Sequence, residues 1–321
     1  LPLTNMSGDP QQEFFVDAMT EAIITELAKI KALRVISRTS VMRYKRTTQP
    51  LTSIAEELNV DGLIEGSVLR AGNDVRITAQ LIRGDSDEHL WADHYDGTVD
   101  NILKLQKDIA LSIADRVQVA VTADERAQLR SAKRIDPEAY DRFLKAARFG
   151  GDWTPASLER SFKEFREVQR LAPDFSGAYT LMATARYMQG MTGFVPGSQS
   201  FRFARQAARR AIRLDEYDHG AQTVLGWAAL TYEWDWDEAH YRLNHALSLN
   251  QSNHFIYAGL AILNALSGRM DHAIELNSRS IEVDPSNPPT HHNLGLTLFL
   301  KRDYEGALKK ITGGRLKGMT D

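Results

Sequence analysis

The sequence predicts an α+β chain in which a small mixed-sheet α/β domain is followed by an all-α solenoid of paired helices. Two observations support this fold class. The first third changes between helical and two-residue apolar spacing, whereas alanines recur every 34 positions in the last third. A chain of 321 residues is long enough for two modest domains. We therefore expect an α/β domain at 1–124, a linker or helix extension at 125–136 and a repeat array at 137–321.

Helical spacing dominates the start of the predicted α/β domain. Apolar residues recur three and four positions apart over 15–30, which places them on one face of a helix. The preceding residues 1–3 are typical of the end of a strand, and the apolar run at 33–36 predicts a second strand. A second helix is predicted near 54–58, after a proline that interrupts the chain.

The apolar period then changes to two residues. Alternating apolar and polar side chains over 75–81 predict a half-buried strand, with 63–69 as its partner and a tight reversal at 72–74. A further strand is predicted at 89–95, and helical spacing returns over 102–117. The predicted order is therefore β-α-β-α-β-β-β-α, a single mixed sheet covered by helices.

Three stretches of this first part carry a resemblance to a known family. They read LPLTNMSGDPQQEFFVDAMTEAIITELAKIKALRVISRTS, IAEELNVDGLIEGSVLRAGNDVRITAQLI and EHLWADHYDGTVDNILKLQKDIALSIADRV. This part is similar to the TolB-like amino-terminal domain over residues 1–120. The family's first strand usually begins before the position of Leu1, which implies a longer chain. The family domain typically follows a winged-helix DNA-binding domain, as in CadC-like regulators, or an adenylate cyclase or protein kinase domain.

A 34-residue period marks the rest of the chain. Ala239, Ala273 and Ala307 are 34 residues apart, and the dipeptides that start at Leu225, Leu260 and Leu294 repeat at 35 and 34. This is the period of the tetratricopeptide repeat (TPR), in which two antiparallel helices pack where a small residue lets them approach. One unit cannot bury its apolar face alone, so neighbouring units are expected to stack.

Five repeat units are predicted. They span 137–175, 176–218, 219–253, 254–287 and 288–321, the last incomplete. The loops at 150–155 and 190–198 are longer than the repeat requires. The segment 313–318 lacks apolar periodicity, so we expect the last helix to remain unfinished there.

No catalytic, cofactor-binding or metal site is predicted, and the chain itself is not expected to be an enzyme. The sequence has no G-x-G-x-x-G, P-loop, H-E-x-x-H or G-x-S-x-G motif, and it has no cysteine. The paired histidines are adjacent or five residues apart, a spacing that does not bring two imidazoles onto one metal as i, i+4 does. No cofactor is therefore expected.

A protein or peptide partner is expected in a groove along the first helix of each repeat. The residues predicted to line it are Tyr140, Tyr179, Gln222, Tyr257 and His291. A docking role is also considered for two loops, through Phe194, Val195, Trp234 and Trp236. The alternative for the first loop is simple variation in loop length. The alternative for the second loop is a helix cap at Asp235 or Asp237, with the tryptophans packed between units.

Five arginines form a stripe on one predicted helix, at positions 202, 205, 209, 210 and 213. The usual explanation is a solvated helix face. With a net charge of −3 and no recognition-helix pattern, contact with nucleic acid is not expected. Apolar runs are too short for a membrane span within the chain.

These observations and the resemblance imply a non-catalytic interaction or sensory module of a bacterial signal-transduction or transcription-regulatory protein. One alternative is the regulatory region of a nucleotide cyclase or protein kinase whose catalytic domain lies upstream. Another is a scaffold for envelope complexes. A membrane span before the chain would place the module in the periplasm, which is the favoured location. Without such a span, the module would lie in the cytoplasm. The sequence leaves the partner and the oligomeric state open.

Overall fold

The computed structural model describes residues 1–130, 133–150 and 154–318, with the side chains of 313–318 excepted. Its residues form two compact units, each assembled from two stretches of chain. The first unit comprises Leu1–Gly151 with Lys163–Pro173, and the second comprises Asp152–Phe162 with Asp174–Asp321. The predicted limits of the domains and repeats remain predictions. The predicted loop at 150–155 lies partly outside the described residues.

The first unit contains a four-stranded sheet and helices around it. Its elements are β1 (Thr4–Asn5), α1 (Glu13–Leu27), α2 (Arg38–Met42), α3 (Leu51–Leu58), β2 (Gly62–Ala71), β3 (Asp74–Arg83), β4 (His89–Thr98), α4 (Ile102–Val117), α5 (Ala123–Arg130) and α6 (Pro137–Gly150). Helix α7 (Pro155–Leu171) is divided between the two units. This small mixed sheet with flanking helices is the architecture predicted for the start of the chain.

The sheet has the order β1-β2-β3-β4, with β1 parallel to β2 and the other neighbours antiparallel. Gly72 begins the two-residue reversal between β2 and β3 with a φ of 62°, a conformation in which a side chain would be strained. On β3 the apolar side chains from Val75 to Leu81 are buried at every second position. The predicted alternation and reversal are therefore confirmed.

The strand predicted at 33–36 is wrong, because these residues form no strand and the sheet passes directly from β1 to β2. The apolar side chains of this segment pack into two separate clusters. Ile36 lies with Ile54 and Leu63, whereas Leu33 lies against Ile30 and its neighbours. A short apolar run can thus be explained by burial without any ladder of backbone hydrogen bonds.

Helix α6 packs against α1 in the first unit. The Tyr140 hydroxyl accepts a hydrogen bond from Gln106 Nε2 at 2.9 Å, and its ring meets Phe15 edge-on with centroids 6.3 Å apart. One residue further on, Asp141 receives two hydrogen bonds from the Arg70 guanidinium, at 2.6 and 2.8 Å. An aromatic contact and a bidentate ion pair therefore attach α6 to the helices and strand of the first unit.

The second unit consists of helices in antiparallel succession. They are α8 (Ser176–Met191), α9 (Gly197–Leu214), α10 (His219–Ala228), α11 (Trp236–Leu249), α12 (His254–Leu266), α13 (Met270–Val283), α14 (Pro288–Leu300) and α15 (Tyr304–Gly318). Each packs against the next, and α8, α10, α12 and α14 also contact one another in order. This is the stacking of helix pairs that the 34-residue period predicts.

Small residues lie where the helices of a pair cross. Ala239 and Ala273 are fully buried, and Ala307 is nearly so. A Cβ added to Gly226 would lie 2.7 Å from Leu243 Cγ on the facing helix. The recurring small residues therefore set the distance between paired helices, as expected from the sequence.

The last helix, α15, is longer than expected, since the sequence predicted that it would remain unfinished at 313–318. It runs to Gly318, so the fifth pair has both its helices. Glycine inside a helix costs about 1 kcal/mol relative to alanine, which weakens a helix without forbidding it. The first part of α15 also packs on α14, where a Cβ on Gly295 would meet Ile311 at 2.5 Å.

Candidate partner-binding site

The structure does not bring all five predicted groove residues to one surface. Tyr140 belongs to the first unit and is only 3% exposed, with its hydroxyl bonded to Gln106. Burial and the lost hydration of the phenolate raise the pKa of Tyr140 far above its ordinary value. Gln222 lies in the second unit and is 2% exposed, with its Oε1 accepting from Arg242 Nη1 at 2.9 Å. Both side chains are placed to support the fold, not to touch a partner.

Tyr179, Tyr257 and His291 lie half-buried on α8, α12 and α14, three of the first helices of the pairs. The Arg210 guanidinium lies 5.8 Å from the centre of the Tyr179 ring. His291 Nε2 donates to the Pro285 carbonyl oxygen at 2.8 Å, which fixes one edge of the imidazole. These three residues form the part of the predicted groove that remains accessible. Their role in binding stays a prediction.

Tyr257 has a perturbed hydroxyl. Burial raises the pKa of Tyr257, Arg279 opposes the shift and Glu282 adds to it. The phenol therefore stays protonated at neutral pH and remains able to donate a hydrogen bond to a ligand.

The loop between α8 and α9 is shorter than predicted. Helix α8 continues to Met191 and α9 begins at Gly197, so the connection is 192–196 and not the whole of 190–198. Phe194, at the centre of this loop, is 46% exposed and follows Gly193, which has a φ of 73°. Val195 is half-buried, and its N–H donates to the Gln189 carbonyl oxygen. An exposed phenylalanine on a short, hydrogen-bonded loop agrees with the docking hypothesis but does not test it.

The acidic and aromatic segment at 233–238 contains a helix cap, which is the alternative to a docking role that the sequence also allowed. Asp235 Oδ1 accepts from the Glu238 N–H at 3.0 Å and so caps α11. The tryptophans do not pack between helices as that interpretation also required, because Trp234 is 69% exposed and Trp236 is 39% exposed. Trp234 takes a positive φ of 57°, an uncommon conformation for a bulky residue.

A cavity of about 400 Å³ lies beside the arginine stripe of α9. Four of the five arginines line it, at positions 202, 205, 209 and 213, together with Tyr232 and Glu233. Tyr232 and Glu233 come from a π-helical turn, Ala229–Glu233, that ends α10. Sequence reasoning identified the stripe but missed its partners, because an extra residue in a helical turn leaves no trace in apolar spacing. The exposed aromatic and acidic segment immediately afterwards was the available signal.

A line of aromatic rings connects this cavity to the helix crossings. Tyr232 stacks on Phe201 with centroids 4.4 Å apart, and Phe201 meets Tyr187 at 5.6 Å. Tyr187 lies 6.4 Å from Trp227, which stacks on Phe255 at 4.5 Å. Burial raises the pKa of Tyr187 to about 12, and its hydroxyl lies 3.2 Å from Thr231 Oγ1. These contacts hold Tyr232, and with it one wall of the cavity, in place.

The described residues contain no group of three or more histidine, aspartate or glutamate side chains placed to hold a metal ion. Among the helices in the described part of the chain, none has the length and apolar composition that crossing a membrane requires.

No protein-family model matches the chain. A curated relative, named putative adenylate cyclase 3 of Rhizobium meliloti strain 1021, is 34% identical over 212 residues. The matched part is 64% of this chain and 36% of that protein, so the chain spans about a third of the relative's length.

Solved structures that are similar to part of the chain include the following three. MamA 41-end from Desulfovibrio magneticus RS-1 is 16% identical, with a TM-score of 0.42 over 58% of this chain and 98% of that one. Pseudomonas aeruginosa PilF is 15% identical, with a TM-score of 0.44 over 55% and 78%. YrrB, described as a TPR protein with an unusual peptide-binding site, is 18% identical, with a TM-score of 0.38 over 61% and 92%. Likeness at this level carries no information about function.

Proposed function

We propose that this chain is a non-catalytic module that binds a protein or peptide partner within a larger bacterial signalling protein. The observation that carries the proposal is the stack of helix pairs in the second unit. Three of its first helices, α8, α12 and α14, present Tyr179, Tyr257 and His291. Stacked helix pairs of this type create an extended surface suited to a peptide or a partner helix.

The signalling part of the proposal has a separate basis. Residues 1–120 resemble the TolB-like domain, which occurs in multidomain bacterial proteins with an output domain. The similarity to a much longer relative named as an adenylate cyclase is consistent with a module that accompanies a catalytic domain. The non-catalytic assignment applies to the chain itself and leaves a catalytic function to the rest of such a protein.

The test begins with selection of peptides from a random display library on the intact chain. Tyr179→Ala and Tyr257→Ala are expected to weaken the selected peptides about tenfold each, the loss typical of an aromatic residue central to an interface. Tyr241→Ala is the matched control, because Tyr241 is an exposed tyrosine on a second helix, α11. Equal affinities of the wild type and both groove variants would contradict binding in the predicted groove.

A second candidate function is regulation of a nucleotide cyclase, favoured by the name of the curated relative. In that case the module changes the rate of a catalytic domain elsewhere in the same protein. The measurement is cyclic AMP formation by the full-length protein, with and without the 321 residues of this chain. A change in rate on removal supports regulation, and an unchanged rate with intact peptide binding leaves only the interaction role.

A further inference from the structure

The cavity beside α9 carries a strong local positive charge. Arg202, Arg209 and Arg213 line it and are exposed, and in the described part of the chain none of them has an ion pair. Arg205, between them, is paired with Glu233. One of the four arginines is thus neutralised within the fold, and the other three are exposed at the cavity.

The wall opposite the arginines is built by an unusual piece of backbone. The π-helical turn Ala229–Glu233 ends α10, and the following Trp234 adopts a left-handed conformation. π-helical turns are rare and occur frequently at functional sites. Here the turn places Tyr232 over the buried ring of Phe201, at 4.4 Å and 28° between planes, and directs Glu233 to Arg205. An apolar ring and an ion pair therefore fix one side of the cavity before any ligand enters.

The unpaired arginines extend over a length that a short extended peptide can cover. From Arg202 to Arg213 the helix rises about 16 Å, and Arg209 lies between them, about 10 Å along the axis from Arg202 and about 6 Å from Arg213. Side chains on one face of an extended chain are separated by two residues, about 6.6 Å, so about five residues cover the stripe. Glutamate or aspartate at every second position would place carboxylates on one face along this whole length, within reach of the three unpaired guanidinium groups, which bind carboxylates through paired hydrogen bonds.

We propose that this cavity binds an extended acidic segment of a partner protein, with carboxylates at alternate positions and an apolar residue against Tyr232. The inference deepens the proposed function, on which it rests, by adding a second surface of defined chemistry on α9. A volume of about 400 Å³ falls within the range of ordinary ligand sites and exceeds what a single small anion fills.

A nucleic acid fits this surface less well than a short acidic peptide. Asp235, Asp237 and Glu238 follow the cavity wall directly in the chain and are mostly exposed. This neighbouring negative segment would repel a long, continuous polyanion more strongly than a peptide of about five residues. The net charge of −3 also gives no general attraction for a polyanion.

The test uses fluorescein-labelled seven-residue peptides and the intact chain, with anisotropy measured at about 0.15 M salt. One peptide has glutamate at every second position and leucine between, and an isomer of equal composition has its glutamates in one block. The alternating peptide is expected to bind about fivefold tighter, because only its carboxylates lie on one face along the whole length of the stripe. Equal binding of the two isomers would overturn the spacing argument.

The decisive variant is Arg202→Gln/Arg209→Gln/Arg213→Gln. It is expected to bind the alternating peptide about tenfold more weakly, the sum of three modest surface charge contacts. Arg210→Gln is the matched control on the same helix, since Arg210 lies over the Tyr179 ring and outside the cavity lining. Thermal unfolding checks the fold, and the single Arg209→Gln variant replaces the triple one if the latter melts early.

Three outcomes would overturn the proposal. Unchanged affinity of the triple variant for the alternating peptide excludes the cavity as its site. Loss of that affinity in Tyr179→Ala alone places the peptide in the groove. Tighter binding of a single-stranded DNA 12-mer than of the peptide identifies the surface as one for nucleic acid. Library-selected peptides that bind the triple variant normally would keep the proposed function intact while this inference fails.

Discussion

Each of the two units is stabilised internally by contacts that differ in their separation along the chain. In the first unit the Lys31 N–H donates to Glu125, 94 residues away, and Arg70 binds Asp141 across 71 residues. In the second unit the corresponding polar contacts join neighbouring pairs, as between His219 and Asn250, 31 residues apart. A repeat array is stabilised by near-neighbour interfaces, whereas a sheet domain depends on joining distant segments. A change in the array should therefore act locally, and a change in the sheet unit should affect several elements together.

The largest effect is expected from Phe15→Ala in the first unit. Phe15 is fully buried, with Tyr140 at its edge and the Arg70 guanidinium 4.6 Å from its centre. Removing a buried phenylalanine ring costs about 3–5 kcal/mol of unfolding free energy. Hydrogen exchange should show lost protection in α1, α4 and α6 together. Phe194→Ala, in an exposed loop of the second unit, is the control and should change stability by less than about 1 kcal/mol. Loss of protection limited to α1 would contradict the predicted cooperativity.

The Arg70–Asp141 pair gives the next largest effect. Asp141→Ala leaves the Arg70 guanidinium, 11% exposed, without its carboxylate, and hydrogen bonds to charged groups contribute about 1.5–3 kcal/mol. Glu138→Ala on the same helix removes an exposed ion pair with Arg142 and should cost under about 1 kcal/mol. Chemical denaturation compares the two variants. Equal losses would mean that the long-range pair adds no more than a surface pair.

The array is tested by Ala239→Leu at a helix crossing. Ala239 is fully buried where α10 and α11 pack, so a larger side chain should cost about 1–3 kcal/mol by forcing the helices apart. The matched control is Asn244→Leu, which puts the same side chain on an exposed position of the same helix. Hydrogen exchange should increase in α10 and α11 and remain unchanged in α14 and α15. A uniform increase through the array would show long-range cooperativity instead.

The sequence predicted most elements whose apolar spacing directly reflects burial. The alternation at 75–81 and the helical spacing at 102–117 each correspond to an element of the fold, because one buried face imposes one period. The 34-residue spacing of Ala239 and Ala273 predicted the helix crossings for the same reason. A segment that is buried on a single face shows that burial as a regular apolar period in its own sequence.

The remaining features depend on what lies opposite a segment in space. The apolar run at 33–36 is divided between two clusters, which a strand pattern cannot distinguish from pairing in a sheet. Tyr140 has the spacing of a repeat residue but packs on Phe15. The π-helical turn that brings Tyr232 to the arginines changes the local period by one residue. The positions of Tyr179, Tyr257 and His291 on first helices were predicted, whereas the wall of the cavity that Tyr232 forms was not.

The smallest effect concerns His254, through which neighbouring pairs of the array are linked. Its Nδ1 lies 3.1 Å from the fully buried Asp284, and its Nε2 lies 3.1 Å from the Asn287 amide nitrogen. A proton on Nδ1 lets the neutral ring donate to Asp284 and accept from Asn287, whereas a second proton on Nε2 would face another donor. Burial lowers the pKa of His254 below its ordinary 6.5, and Asp284 opposes the shift only in part.

The folded chain therefore binds fewer protons at this site than the unfolded chain does. His254 contributes fully to stability above pH 6.5, and its contribution falls as the pH drops from 6.5 through the lowered pKa. The measurement is the difference in unfolding free energy between wild type and His254→Gln, which should shrink from pH 8 to pH 5. Taking the difference cancels titrations common to both proteins. His272→Gln, at an exposed histidine of α13, is the control for the loss of an imidazole. A His254 difference that stays constant would mean that this link between pairs does not depend on the neutral ring.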